Sequence, residues 1–153
     1  MVLSEGMKAP EFNLTDSEGN QHRLSDYEGE TIVVYFYPKD DTPGCTKEAC
    51  SFRDAYADFK EAGVEVIGIS PDTEKSHRKF ANKYDLPFTL LSDPDHQISE
   101  AYGVWGLKKY MGREYEGIYR TTFIIGPDGE IKRVFENVKP SDHSQEVLEE
   151  VMK

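Results

Sequence analysis

The chain has 153 residues, enough for one domain with a proper core, and we expect residues 1–153 to form a single domain. Its 29 acidic residues exceed its 18 basic residues by 11, which argues against nucleic acid or an anionic membrane as the main partner. The N-terminus lacks the regions of a signal peptide, and no apolar stretch approaches the roughly 18 residues that span a bilayer, so the sequence predicts a soluble, cytoplasmic protein.

The first elements predicted along the chain are a hairpin and a central strand. Two short extended segments, 12–15 and 21–24, flank a polar turn that contains glycine, which predicts a β-hairpin. A turn or short helix follows at 25–29. The segment 31–37 is apolar on both faces, as is typical of a strand in the middle of a sheet.

Helices and strands alternate after this strand. The segment 103–117 shows no clear period and contains four glycines, Gly103, Gly106, Gly112 and Gly117, so it is predicted to be a loop. The pattern as a whole predicts an α/β fold with a mixed central sheet flanked by helices. Its parts are a helix with the apolar stripe Ala49, Phe52, Tyr56 and Phe59, strands at 64–70 and 87–91, helices at 74–84 and 97–102, a hairpin of 121–126 with 130–135, and a last helix at 144–152.

Both cysteines of the chain lie in one stretch, 38–50, between the central strand and the helix that follows it. Thr42 is a good N-cap and Pro43 suits the first helical position, so Cys45 is predicted in the first turn. Unpaired backbone N–H groups and the helix dipole favour a thiolate there. The carboxyl end of a central strand is also where open α/β sheets bind ligands, which favours a reactive Cys45 over an inert buried cysteine.

The spacing of the two thiols restricts how they can react with each other. Five residues of helix give a rise of roughly 7.5 Å and a Cα separation of roughly 8 to 9 Å, beyond the roughly 7 Å limit for a disulfide. Cys45 and Cys50 therefore either never meet or meet when the first turns of the helix unwind. From the residues alone, Cys50 is equally well a small core residue beside Ala49 or a resolving partner.

The charged residues close to Cys45 in the sequence are mostly acidic, so a cation from elsewhere in the chain is needed to favour the thiolate. Arg120 precedes a predicted strand that could deliver it to the same edge of the sheet. A surface arginine in an ordinary ion pair is an equally good interpretation. The local charges are Asp40, Asp41 and Glu48 against Lys39 and Lys47.

The sequence predicts neither a metal site nor a bound cofactor. The four histidines are scattered, and none lies at ligand spacing from another or from a cysteine. No glycine-bearing loop matches a phosphate-binding pattern, and no Cys-x-x-Cys motif is present.

The motif Pro38-x-x-x-Thr42-x-x-Cys45 closely resembles the active-site motif of the peroxiredoxins, and Cys50 resembles the resolving cysteine of their Q type, also called bacterioferritin comigratory proteins. The resemblance implies a thioredoxin-like fold with an N-terminal β-hairpin, and peroxide reduction without a metal or bound cofactor. It implies that Cys45 becomes a sulfenic acid, that Thr42 and Arg120 hold the peroxide and Arg120 favours the thiolate, and that Pro38 shields the pocket. The flanks that extend the resemblance are 6–12, 36–38, 120–123 and 127–129.

The resemblance further implies that Cys50 condenses with the Cys45 sulfenic acid to give an intramolecular disulfide, which thioredoxin or a similar dithiol protein reduces. It suggests a monomer, with a dimer possible. The function predicted is a thioredoxin-dependent peroxidase acting on hydrogen peroxide and organic hydroperoxides. A peroxide sensor or redox-switched binding protein of the same fold, and a structural module with inert thiols, are the alternatives; a sensor would oxidise once and stall, whereas a peroxidase turns over.

Overall fold

The computed structural model describes residues 2–140 and 143–152. Residues 1, 141, 142 and 153, which belong to the predicted single-domain span, lie outside this description. A short 3-10 helix, Leu24–Tyr27, follows the second strand. The other elements are β1 (Asn13–Asp16), β2 (Gln21–Arg23), β3 (Thr31–Phe36), α1 (Pro43–Glu61), β4 (Val64–Ser70), α2 (Glu74–Tyr84), β5 (Thr89–Ser92), α3 (Gln97–Ala101), β6 (Trp105–Tyr110), β7 (Arg113–Ile118), β8 (Thr121–Ile125), β9 (Ile131–Glu136) and α4 (His143–Val151).

Seven strands form one mixed sheet in the order β2-β1-β5-β4-β3-β8-β9. The strands β3, β4 and β5 are parallel to one another, whereas β8 runs antiparallel to β3. β3 lies between β4 and β8, and all its residues after Thr31 are buried. The predicted central strand is confirmed, and so is the N-terminal hairpin, which pairs β1 with β2 and joins the sheet through β5.

The core has two halves, one on each face of the sheet, because successive side chains of a strand point to opposite faces. Tyr35 of β3 packs on one face with α1, α2 and α4. Its neighbour Phe36 packs on the other face with the N-terminal segment and β8. The large side chains of the first half include Phe52, Phe59, Phe80 and Phe88, and those of the second half include Phe12, Ile67, Tyr102 and Phe123.

The prediction of a loop at 103–117 is wrong, because most of this segment forms the antiparallel hairpin β6–β7. Met111 and Gly112 make its turn, and both have positive φ angles, 50° and 79°, as a two-residue hairpin turn of the primed type requires. Most side chains on both strands are at least partly exposed, so no alternation of apolar and polar residues marks the strands in the sequence.

The remaining boundaries differ from prediction by a few residues. The third parallel strand begins at Thr89 and ends at Ser92, later than predicted. α1 ends at Glu61, and Gly63 follows with a φ of 77°, the left-handed conformation that glycine adopts without strain. None of the helices within 2–140 and 143–152 combines the length and apolar character needed to cross a membrane.

Candidate active site

The loop after β3 leads directly into α1, as the sequence predicts. Thr42 occupies the N-cap position with extended backbone angles, and Pro43 is the first helical residue. Cys45 therefore lies in the first turn, where it is 1% exposed. The Thr42 hydroxyl does not cap the helix, however; it donates a 2.9 Å hydrogen bond to the carbonyl oxygen of Lys39. This leaves the lone pairs of the hydroxyl oxygen available as acceptors.

Arg120 reaches Cys45 because of the register between β3 and β8. Phe36, the last residue of β3, lies opposite Thr121, the first residue of β8. The residue before β8 is therefore brought beside the loop that follows β3. Arg120 Nη2 lies 3.1 Å from Cys45 Sγ, and its Nη1 donates a 3.1 Å hydrogen bond to Glu48 Oε1. Arg120 thus contacts the thiol and also forms an ion pair with Glu48, a buried partner rather than a surface one.

Glu48 is a site residue that the sequence reasoning missed. It lies three residues after Cys45, on the same side of α1, and is 1% exposed. Its Oε1 accepts from Arg120, while its Oε2 has no hydrogen-bond partner within the described residues. Burial raises the pKa of the Glu48 carboxyl to about 7, although the neighbouring Arg120 charge opposes the rise. The only sequence signal was the spacing of three from Cys45.

Gly44 leaves room for the guanidinium between the loop and β8. A Cβ atom at this position would lie 2.7 Å from Arg120 Nη2, well inside van der Waals contact. The guanidinium is held on both sides by Cys45 and Glu48, so it cannot move away without losing those contacts.

Cys50 and Pro38 complete the predicted set. Cys50 is half-buried and lies on the intact helix α1, and both cysteines are free thiols. In a helix, the separation of roughly 8 to 9 Å between their Cα atoms is too long for a disulfide. Pro38 is half-buried at the bend directly after β3. The structure thus places Arg120 against Cys45 beyond the end of β3, with Thr42 at the N-cap of α1 three residues before the thiol and Cys50 further along the helix.

The hairpin β6–β7 borders this site through Lys108. Its ammonium group donates a 2.9 Å hydrogen bond to the carbonyl oxygen of Ile118. Burial lowers the pKa of Lys108, and the positive charge of Arg120 lowers it further. The positive charge of Lys108 therefore lies close enough to interact with that of Arg120. Lys108 belongs to the segment that the sequence predicted to be a loop.

Among the described residues, the fold also assembles a cluster of metal-ligating residue types that sequence spacing could not reveal. Asp40, Asp72 and His77 each place a ligand atom within 4.8 Å of the others. Both ring nitrogens of His77 are already engaged, Nδ1 with Asp40 Oδ2 at 2.7 Å and Nε2 with the carbonyl oxygen of Leu91 at 3.0 Å. We describe these residues as a hydrogen-bonded cluster, because a metal ligand at His77 would first have to give up one of these bonds.

Comparison with known proteins gives a consistent result. The family model AhpC/TSA matches residues 6–134. Peroxiredoxin Bcp of Bacillus subtilis is 48% identical over 97% of this chain and 95% of its own length. Among solved structures, a cysteine mutant of PrxQ from Xylella fastidiosa superposes with a TM-score of 0.94 at 33% identity, covering 99% of this chain and 97% of the other.

A second solved structure is a bacterioferritin comigratory protein of Xanthomonas campestris, studied for its alkyl peroxide reduction activity. It superposes with a TM-score of 0.91 at 34% identity, covering 97% of this chain and 98% of the other. With these neighbours, the predicted thioredoxin-like fold, with a mixed sheet, flanking helices and an N-terminal hairpin, is confirmed.

Proposed function

The chain belongs to the AhpC/TSA family and is a thiol peroxidase of the peroxiredoxin class, and from that premise we propose that Cys45 is its peroxidatic cysteine. The observation that carries this proposal is the 3.1 Å contact between Arg120 Nη2 and Cys45 Sγ. A guanidinium against a buried sulfur in the first turn of a helix favours the thiolate, which is the nucleophilic form.

The first step follows from this arrangement. The Cys45 sulfur attacks the outer oxygen of ROOH, the O–O bond breaks, and the departing RO⁻ takes a proton to become ROH. The sulfur is oxidised to a sulfenic acid, Cys–SOH, and the peroxide is reduced. Arg120 stabilises the charge that develops on the leaving oxygen. The Thr42 hydroxyl already donates its hydrogen to the Lys39 carbonyl oxygen, so its oxygen accepts a hydrogen bond from the O–H of the peroxide.

Pro38 and Glu48 have supporting roles in the proposed chemistry. We propose that Pro38, at the bend after β3, limits the access of water to Cys45. Glu48 orients Arg120 through the bond to Nη1, which leaves Nη2 directed at the sulfur. An arginine held by two partners is pre-organised, so little reorganisation is needed as charge shifts in the transition state.

Cys50 is proposed as the resolving cysteine. Its thiol condenses with the Cys45 sulfenic acid, which forms an S–S bond and releases water. Because a helical separation of about 8 to 9 Å forbids this bond, the turns of α1 between the two residues have to unwind first. Both thiols belong to the same helix, so resolution needs no second chain, and we propose that the protein acts as a monomer of one domain.

The enzyme uses a peroxide as substrate and a thiol reductant. We propose that the reductant is thioredoxin or a similar dithiol protein, which transfers two electrons and two protons to the disulfide by thiol exchange. Organic hydroperoxides are proposed as substrates beside hydrogen peroxide, by similarity to the Xanthomonas protein. We propose the cytoplasm as its location, since a reducing compartment keeps such thiols reduced.

Steady-state consumption of hydrogen peroxide, with thioredoxin and its reductase present, tests these assignments. We expect wild type to turn over many times, Cys45→Ser to consume nothing, and Cys50→Ser to form the sulfenic acid once but lose thioredoxin-supported turnover. Normal cycling by Cys50→Ser would refute the resolving role. A single oxidation of wild type followed by a stall would favour the peroxide sensor instead.

A further inference from the structure

One peptide group, between Lys39 and Asp40, lies at the centre of the loop that carries Thr42. Its carbonyl oxygen accepts the Thr42 hydroxyl at 2.9 Å, and its N–H donates to Asp72 Oδ2 at 2.8 Å. The same rigid peptide plane is therefore bound on one side by Thr42 and on the other by Asp72. Its orientation determines where the Thr42 hydroxyl hydrogen points.

Asp72 is itself held in place. Its Oδ2 accepts a 2.7 Å hydrogen bond from Ser70 Oγ, and its backbone N–H donates to the same hydroxyl at 3.2 Å. Ser70 is the buried last residue of β4. The carboxylate that binds the Asp40 N–H is thus fixed to the sheet rather than carried on a free loop.

Asp40 is also held through its side chain. It is 7% exposed and accepts from Tyr37 OH at 2.6 Å and from Ser76 Oγ at 2.8 Å. His77 Nδ1 lies 2.7 Å from its Oδ2. Since Nε2 of His77 faces the carbonyl of Leu91, it must carry a hydrogen. Three neighbouring side chains thus hold the Asp40 carboxyl in place.

We propose that Asp72, backed by the buried Asp40–His77 pair, is a positioning residue for Thr42. The proposal deepens the proposed function and rests on the role given there to the Thr42 hydroxyl. By holding the Lys39–Asp40 peptide, Asp72 directs the hydroxyl hydrogen away from the peroxide, so that the oxygen presents lone pairs to the O–H of the substrate. Asp72 touches neither sulfur nor peroxide and acts only through this peptide.

The position of the anchors also explains how the loop can stay ordered while α1 opens. The hydrogen bonds of Asp40 and Asp72 go to Tyr37, to β4, β5 and α2, and to each other, and within the described part of the chain none of them goes to α1. Unwinding of α1 between the two cysteines therefore leaves the peptide in place. When the helix re-forms, Thr42 is already oriented for the next peroxide.

The test compares two reactions of Cys45 in a Cys50→Ser background, where it is the only thiol. Oxidation by hydrogen peroxide needs the Thr42 hydroxyl, whereas alkylation by iodoacetamide needs only an accessible thiolate. We expect Asp72→Ala to slow oxidation about 10-fold, the loss that one positioning hydrogen bond predicts, with alkylation changed less than about 2-fold. Asp72→Asn keeps an acceptor oxygen and should restore most of the rate.

Three further variants make the result decisive. Thr42→Val should slow oxidation, and adding Asp72→Ala to it should slow oxidation no further, because both act on the same hydroxyl. Ser70→Ala removes one hydrogen bond to Asp72 with less risk to folding, and it should slow oxidation less than Asp72→Ala does. Lys83→Ala is the matched control, because it removes an exposed ion pair between the neighbouring Asp41 and α2, and it should leave both reactions unchanged.

The outcomes separate the inference from the function on which it rests. If Thr42→Val is slow but Asp72→Ala and Ser70→Ala oxidise like wild type, only the positioning role is overturned. The positioning role is also overturned if Asp72→Ala slows oxidation and alkylation equally, or if Asp72→Ala slows oxidation further when it is added to Thr42→Val. If Thr42→Val itself oxidises normally, the role of Thr42 in the proposed function fails and the inference fails with it.

Discussion

The buried Glu48 carboxyl should make the stability of the protein fall as the pH rises, and Glu48→Gln should remove that effect. The pKa of the carboxyl rises from an ordinary 4.5 to about 7 because it is buried, with Arg120 only partly opposing the shift. The folded state thus binds this proton more tightly than the unfolded state. Its contribution to stability is fully present below pH 4.5 and is lost as the pH rises through about 7.

The size of the effect follows from the two pKa values. Integrating the difference in proton binding gives a cost of about 3 kcal/mol near pH 8 and about 1 kcal/mol near pH 5. Glutamine keeps the oxygen that accepts from Arg120 Nη1 but cannot ionise. We therefore expect the free energy of unfolding of Glu48→Gln to gain about 2 kcal/mol over wild type between pH 5 and pH 8.

Urea denaturation of both proteins at a series of pH values measures this difference. Other titrating groups are common to the two proteins and cancel in the comparison. Glu61→Gln, an exposed glutamate at the end of the same helix, is the matched control and should follow wild type at every pH. A difference between Glu48→Gln and wild type that stays constant with pH would refute the reasoning.

Three substitutions at the thiol give further predictions, each measured as the rate of Cys45 oxidation by hydrogen peroxide in stopped flow. Arg120→Met should slow oxidation about 100-fold or more, because the substitution removes the charge that stabilises both the thiolate and the leaving oxygen. Alkylation by iodoacetamide at neutral pH should slow as well. Unchanged rates of both reactions would exclude this role of Arg120. Thr42→Val should slow oxidation about 10-fold without changing alkylation, and equal losses in both reactions would contradict a role in binding peroxide. Gly44→Ala should slow oxidation by a factor between these two, because its Cβ displaces the guanidinium from the sulfur. A crystal structure of this variant with Arg120 still in contact with Cys45 Sγ would contradict the explanation.

Local signals were enough to predict the loop and the start of α1. Thr42 and Pro43 are residue types favoured at the N-cap and the first position of a helix, and the apolar run 31–37 is typical of a buried strand. Arg120 could be named but not assigned, because its contact with Cys45 depends on the register of β3 against β8. That register is a property of the sheet and leaves no mark next to Arg120 in the sequence.

Other features had little or no local signal in the sequence. Glu48 looked like one of several acidic residues around Cys45, and only burial against Arg120 distinguishes it from Asp41, which is exposed. His77 and Asp40 are 37 positions apart and meet only because α2 packs beside the end of β3. The hairpin β6–β7 was missed because most of its side chains are at least partly exposed, so its strands carry no alternation of buried and exposed residues.

The central claim is that α1 is a moving part, whose first turns aim Cys45 and then open to let Cys50 reach it. Hydrogen exchange with mass spectrometry, on reduced protein and on protein treated with one equivalent of hydrogen peroxide, tests it most directly. We predict an intramolecular Cys45–Cys50 disulfide together with loss of amide protection over residues 43–50, while β3 stays protected. A disulfide between chains, or a Cys45 that remains sulfenic acid with the helix fully protected, would contradict it.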